Sequence, residues 1–527
     1  MLSPKRFFKL CALLQLAQAV TIGPVADLVV KNAFIAPDGY NRSGVLAGGV
    51  FPGPVITGKK GDRFKIKVIN ELTNKTMLRA TSIHWHGIFQ HGTSYADGAA
   101  MVTQCPIIPN ESFQYDFPSF HQVGTYWLFM GNQATQYCDG LRGAFVIYDP
   151  DDPFKDSYDV DNVSTIITLA DWYHEPAPLR TQRPVATLIN GLGRSVNGTA
   201  TKLAVINVEK GKRYRFRVIG LSCDPSFNFT IHHHQMTVIE ADGEYTTPLV
   251  VDSMEVWAGQ RYSVIVKADQ EIDNYWIRAD PWFTRGRPGF DGGRNSAIFR
   301  YKGAPDVEPK TTFISTKPLK EVNLHALYNA TPPGKPHPGG ADLVIPIKHA
   351  IFHDPNPRFE VNNVTMKPPS VPIFLQVMNG TFNAADLMPK GAVYKLPPNK
   401  VIELVIYGSG AVDGGPHPWH LHGHSFWVVR SGNSTDYNFV NPVRRDTVDT
   451  GFDDGRTTIR FVTDNAGPWF LHCHIDWHLE IGLAVVFAED PEGMVKQNQT
   501  LPPPYRELCP KFYKNDPDNG NHTEYPE

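Results

Sequence analysis

The sequence predicts an all-β protein of three consecutive Greek-key β-sandwich/barrel domains, on the strength of its composition, an internal repeat and a recurrent closing strand. At 527 residues the chain exceeds what a single core supports. Its 44 Gly, 44 Pro and 11% aromatic residues suit many short strands joined by turns and would break helices. Lys60-Gly-Asp-Arg-Phe-Lys-Ile-Lys-Val-Ile-Asn70 is echoed by Lys210-Gly-Lys-Arg-Tyr-Arg-Phe-Arg-Val-Ile-Gly220 and, more loosely, by Pro398-Asn-Lys-Val-Ile-Glu-Leu-Val-Ile-Tyr-Gly408. Each copy reads as a tight turn followed by period-two alternation, the mark of a strand with one buried face. A strand closes each unit: 143–150, 296–303 and 483–490. Acidic and Pro-rich joints at Asp149–Pro153 and Pro305–Pro318 place the domains at 20–150, 151–318 and 319–527.

Residues 1–19 read as a signal peptide. Lys5, Arg6 and Lys9 precede an apolar run from Leu10 to Leu16, and Ala17-Gln18-Ala19 follows as a cleavage site. That run is too short for a bilayer, so the expectation is a secreted, extracellular protein with no membrane partner. Twelve N-x-S/T sequons, from Asn41 to Asn521, agree with that route. The formal net charge of −3, without a basic stripe, argues against a nucleic-acid partner. With Cys11 in the leader, Cys105, Cys138, Cys223, Cys473 and Cys509 remain. In an oxidising compartment four would form two disulfides, and Cys473, flanked by histidines, is the natural odd one out.

The chemistry resides in eight histidines in three tight clusters: His84 and His86; His417, His420 and His422; His472, His474 and His478. Residues two apart on a strand share a face, roughly 6.5–7 Å apart. His472 and His474 can therefore serve a metal cluster on one side of their strand, while Cys473 points to the other. Cys473 with His417 and His478 makes the trigonal His2Cys pattern of blue copper. The position ten after Cys473, where a weak axial Met would be expected, is Leu483, which predicts a three-coordinate site of raised potential. Zinc also takes imidazole and thiolate, but one thiolate among so many histidines is not a zinc-finger spacing. His91, His174, His232–His234, His325, His337 and His522 read as ordinary histidines.

These residues resemble the multicopper oxidases, specifically fungal laccases of the basidiomycete type. The likeness extends over essentially the whole mature chain. It is carried by Gly23-Pro-Val-Ala-Asp27, His84-Trp-His-Gly87, Ala96-Asp-Gly98, Gln104-Cys-Pro106, Thr135-Gln-Tyr-Cys-Asp-Gly140, Leu221-Ser-Cys-Asp-Pro225, His417-Pro-Trp-His-Leu-His-Gly423 and His472-Cys-His-Ile-Asp-Trp-His478. The resemblance implies cupredoxin-like domains, the third carrying a type 1 copper on His417, Cys473 and His478. It assigns the type 2 copper to His84 and His420, one type 3 copper to His86 and His474, and the other to His422 and His472. It pairs Cys105 with Cys509 and Cys138 with Cys223. It makes Asp224 the acceptor of the phenolic proton, places the substrate beside His478, and gives Asp97 and Asp476 the relay of protons to the cluster. The activity implied is one-electron oxidation of phenols (p-diphenol:dioxygen oxidoreductase) with reduction of dioxygen to water, by a monomer.

One departure stands out. The family carries W-Y-H-S-H ahead of T-Q-Y-C-D-G, giving one ligand to each type 3 copper, whereas this chain has Trp127-Leu-Phe-Met-Gly-Asn-Gln-Ala134 there. The internal repeat exposes the same gap, because aligning Gly124–Gly131 with Gly467–His474 sets Phe129 and Gly131 where His472 and His474 stand. Two readings are open: an error in the sequence at 128–134, or a genuine chain whose type 3 coppers keep two protein ligands each. In the second, a copper-binding paralogue with impaired oxygen reduction is the alternative function.

Overall fold

The computed structural model describes residues 20–130, 136–177, 184–195, 198–282, 291–354, 356–408, 415–451, 455–497, 499 and 501–515. Residues 1–19, where a signal peptide is expected, and part of the departing segment, 131–135, lie outside the described residues.

The repeat is realised three times. Strands Arg63–Glu71, Arg213–Gly220 and Val401–Tyr407 begin two residues after backbone positions of positive φ: Gly61 at +87°, Gly211 at +93° and Asn399 at +56°. Glycine adopts that conformation without cost and asparagine tolerates it, so the loosest copy still turns as the other two do. In Arg63–Glu71 the Phe64, Ile66, Val68 and Asn70 side chains are buried and the intervening ones are more exposed, as alternation requires.

Every copy then pairs in the same way. Val25–Ile35, Ile166–Trp172 and Leu343–Ile347 run parallel to the repeat strands. The closing strands Arg142–Tyr148, Ser296–Tyr301 and Ala484–Glu489 run parallel to Val55–Lys59, Val205–Val208 and Val393–Leu396. Parallel neighbours cannot be joined by a hairpin, so each chain segment crosses between two facing sheets. The paired sheets draw on 21–148, 166–301 and 343–489, without a strand shared between blocks.

The cores, by contrast, are shared. One apolar cluster joins Phe64, Ile66, Trp85 and Phe113 of the first block to Ile373, Phe374, Val486 and the C-terminal helix residues Tyr505, Leu508 and Phe512. A second joins Phe216, Phe229 and Val264 to Leu404, Trp419, Leu471 and Leu483. The chain therefore folds back so that the third block covers the first, and the histidine clusters meet at that seam. The helix Pro503–Lys514 is tied there by a Cys105–Cys509 bridge, and Cys138–Cys223 joins the first block to the second. Both bridges follow the pairing implied by the resemblance, and Cys473 is the free, buried cysteine.

Closing a loop of 404 residues restricts the unfolded chain strongly. Replacing Cys105 and Cys509 together by Ser should cost about 2–5 kcal/mol of stability. Thermal unfolding checks it, and an unchanged midpoint would show that helix packing alone holds the terminus.

Candidate metal centres

Two groups of donors sit on opposite faces of one strand, Gly467–Cys473. On one face the Cys473 Sγ lies 3.5 Å from His417 Nδ1 and 3.6 Å from His478 Nδ1, and the two nitrogens are 3.1 Å apart. Ladder bonds close this triangle: the Cys473 amide donates to the Leu483 carbonyl at 3.1 Å, and the Leu483 amide donates to the His478 carbonyl at 2.9 Å. Leu483 is fully buried, and the Phe359 ring packs 4.9 Å from that of His478 and 5.6 Å from that of His417. Burial pushes the Cys473 thiol up and holds His417 well below its usual value, while His478 falls to about 3. Two neutral imidazoles and one thiol converging in an apolar pocket can all act as donors to a single soft cation, which would draw off the thiol proton. His478 alone of the three retains partial exposure.

On the other face, His422 Nε2 and His472 Nε2 lie 3.2 Å apart, and His86 Nδ1 and His474 Nε2 are likewise 3.2 Å apart. Ligand atoms of His84, His86 and His420 fall within 4.8 Å of one another. The Nε2 atoms of His84 and His420 are buried without a hydrogen-bond partner, as lone pairs reserved for a metal would be. The opposite ring nitrogens are anchored. His84 Nδ1 lies 2.8 Å from the Asp97 carbonyl, and His422 Nδ1 lies 2.8 Å from Asp97 Oδ2. His420 Nδ1 lies 2.9 Å from the Asp446 carbonyl. Such outer contacts fix ring orientation and tautomer at metal sites. Burial keeps His86, His472 and His474 well below the usual imidazole range, and brings His422 to about 3, so protons do not compete for these nitrogens. Burial by itself would raise Asp97, but His422 and His84 outweigh it and hold the carboxylate ionised.

Comparison with known proteins decides the family. Residues 29–152, 163–304 and 365–493 each match a multicopper oxidase family model. The chain is 53% identical over 514 residues to a laccase of Pycnoporus cinnabarinus, covering 97% of this chain and 98% of that protein. It is 55% identical over 498 residues to a laccase of Phlebia radiata, covering 93% and 94%. Among solved structures, the laccase of Botrytis aclada has a TM-score of 0.80 at 30% identity, covering 95% of this chain and 93% of that one. Fet3p, a multicopper oxidase that functions in iron import, has 0.82 at 27%, covering 93% and 95%.

This chain belongs to the multicopper oxidase family.

Copper is accordingly the metal this multicopper oxidase binds, and the donors above fit it: one thiolate and many imidazoles, with the unpartnered nitrogens turned toward the seam. One position in the seam has no ligand to offer. The Phe129 ring stands 5.2 Å from that of His84 and 5.2 Å from that of His474. Gly131, the other position singled out by the repeat, lies outside the described residues.

The remaining residues singled out in the sequence are spread around these centres. Asp476 is buried at the start of the helix Asp476–Glu480; burial, with the Asp476 charge added, pushes the carboxyl of Glu480 well up. Asp224 is partly exposed beside the Cys138–Cys223 bridge, and its amide donates to Asp171 at 3.2 Å. Its charge is near enough to add to the rise of the Cys473 thiol.

Sequence reasoning missed three contributors. Asp446 Oδ1 lies 3.2 Å from His86 Nε2, and Arg261 of the second block grips both Asp446 oxygens at 2.7 and 2.6 Å. His349 packs edge-on to His417, with centroids 4.7 Å apart and planes at 82°. No repeat or short spacing marks them; only the doublet Arg444-Arg445 before Asp446 hints at a charged cluster.

Removing one partner of a buried ion pair strands the other. Asp446→Ala should cost about 3–5 kcal/mol and release His86 from its anchor. A lower denaturant midpoint together with reduced bound copper is the expected result, and a wild-type midpoint would show that Arg261 finds another partner.

Proposed function

We propose that the chain is a laccase that oxidises phenols one electron at a time and uses dioxygen as the final acceptor. The observation that carries the reading is the backbone link: Cys473, in the His2Cys triangle, is bonded on both sides to histidines of the second cluster. Identity above 50% to laccases over nearly the whole chain favours catalysis over a copper-binding paralogue. Copper held at the two centres supplies the one-electron and oxygen-reducing chemistry.

The chain's own residues do the rest. His417, Cys473 and His478 hold the type 1 copper, His84 and His420 the type 2 copper, and the pairs His86/His474 and His422/His472 the type 3 coppers. The partly exposed His478 marks the docking place for the phenol. Asp224, partly exposed on the neighbouring block, takes the phenolic proton as the electron leaves. Four phenols each release one electron and one proton, and one dioxygen accepts them all to become two waters. In this reading Asp97 and Asp476 relay protons inward, and Asp476 lies beside Glu480, whose carboxyl burial pushes well up. With Leu483 fully buried beside the triangle, His417, Cys473 and His478 would be the protein donors to the type 1 metal, and a missing fourth donor would tune its potential.

The same reading divides the chain at 20–150, 151–318 and 319–527, with 1–19 removed on secretion, and takes the protein as a monomer. Among the described residues no helix is long and apolar enough to cross a membrane. Seven sequon asparagines, including Asn110, Asn329 and Asn433, are exposed for glycans.

Oxygen uptake with a simple phenol, beside a copper count and the blue absorption band, tests the function directly. Cys473→Ser should abolish the blue band and bring phenol turnover down to background, since it removes both a ligand and the link. Retained colour would sink the assignment. Asp224→Asn should slow phenols by about 10²-fold, the usual worth of a positioned base, while sparing a donor that releases no proton. Equal slowing of both donors would reduce Asp224 to a structural turn.

A further inference from the structure

The repeat relating the first and third blocks is broken at one metal-facing position. In the third block Pro418–Leu421 pairs with Gly467–Cys473, setting His420 opposite His472. In the first, Ile83–His86 pairs with Gly124–Met130 in the same register, setting His84 opposite Phe129. Phe129 thus holds the place of an inward histidine. Its ring lies 5.2 Å from the ring of His474 and 6.0 Å from that of His86, the two imidazoles whose nitrogens approach to 3.2 Å. Trp127 stacks behind it at 4.5 Å and lies 5.2 Å from the His86 ring and 5.4 Å from that of His474. The side of the His86/His474 pair that faces this strand is therefore walled by two aromatic rings. No imidazole can come from the following chain, because residues 122–173 contain no histidine. His121 is turned toward Phe89, 6.5 Å between centroids.

We infer that a copper shared by His86 and His474 meets Phe129 where a third imidazole would stand, and that it is held more weakly than the copper on Cys473 and released while that one stays bound. The inference rests on the copper assignments proposed above. A phenyl ring has no lone pair to donate, so this ion keeps two protein nitrogens against an apolar wall. The Cys473 site keeps all three of its donors, one of them a sulfur, in an apolar pocket. Loss of even a residue that only hydrogen-bonds a ligand costs a metal site about 10–100-fold in affinity, so a missing imidazole ligand costs about tenfold at the least.

The test uses the full, copper-loaded chain, with residues 124–140 verified by peptide mass. Copper per chain and the blue band are followed during dialysis against rising EDTA. Wild type should lose copper in two steps, the first at a chelator concentration roughly tenfold or more below that which bleaches the blue band. Phe129→His should move the first step up by about tenfold or more, and Phe129→Leu should leave it in place. Overlapping release curves for wild type and Phe129→His would overturn the inference, as would a histidine found at 129. If Phe129→His does not fold, the copper lost from wild type before the blue band fades decides: more than one copper per chain supports the inference, and one or none overturns it. Phenol-driven oxygen uptake is read separately, so a protein that binds copper in this order yet consumes no oxygen would overturn the laccase reading and leave this one standing.

Discussion

A β-strand sends successive side chains to opposite faces, and the run His472-Cys473-His474 turns that rule into the organising constraint of the molecule. The thiol faces the apolar interior of the third block, and the flanking imidazoles face the seam with the first. Neither centre can be moved without the other, because they share consecutive residues. The rest of the fold serves to bring donors to the two faces: His417 and His478 to one, and His84, His86, His420 and His422 to the other. That is why the third block must lie against the first, with their apolar residues merged into one cluster across the seam.

The second block contributes no histidine to either cluster, yet it fixes the seam by charge. Arg261 clamps Asp446 and donates to the carbonyl of Thr125 at 2.9 Å, and Glu240 accepts from the Thr125 amide at 2.7 Å. Arg445 donates to Asp242, which also accepts from the Arg261 amide. Each of these charges is buried, so each needs its partner far more than a surface pair would. Such a network adds little net stability compared with apolar packing. Its value is geometric, since any slip of one block would strand a charge. It holds the strand bearing Trp127 and Phe129, the strand bearing His420 and the loop of Asp446 in a single arrangement.

The two centres differ in how completely they are furnished. The triangle on Cys473 is enclosed by Phe359, Leu483 and Trp419 and keeps every donor that its geometry calls for. The seam cluster keeps His84 and His86 from the first block beside the imidazoles of the third, but Trp127 and Phe129 wall it on the neighbouring strand of the first. Phe129 belongs to an apolar group with Trp127, Tyr137 and Leu221, so it is a well-packed residue in its own right. Packing that suits the apolar cluster and coordination that suits the metal pull in different directions at this one position.

Much of this was legible in the sequence because it is written at short range. The turn-and-strand repeat, the histidines two apart and the cysteine between two of them all depend on residues within a few positions, where the strand period fixes direction. The same logic marks Phe129, since one copy of a repeat reports on another. The family resemblance supplied the disulfide partners and the division of histidines among metals. What the sequence did not disclose is contact across long separations. Asp446 meets His86 from 360 residues away, Arg261 reaches Asp446 across 185, and His349 comes to rest on His417 from a different strand. These pairs follow no period, because they are set by how the three sheet pairs dock. Local alternation determined which residues could be ligands, and only the docking of the blocks decided which of them face one another.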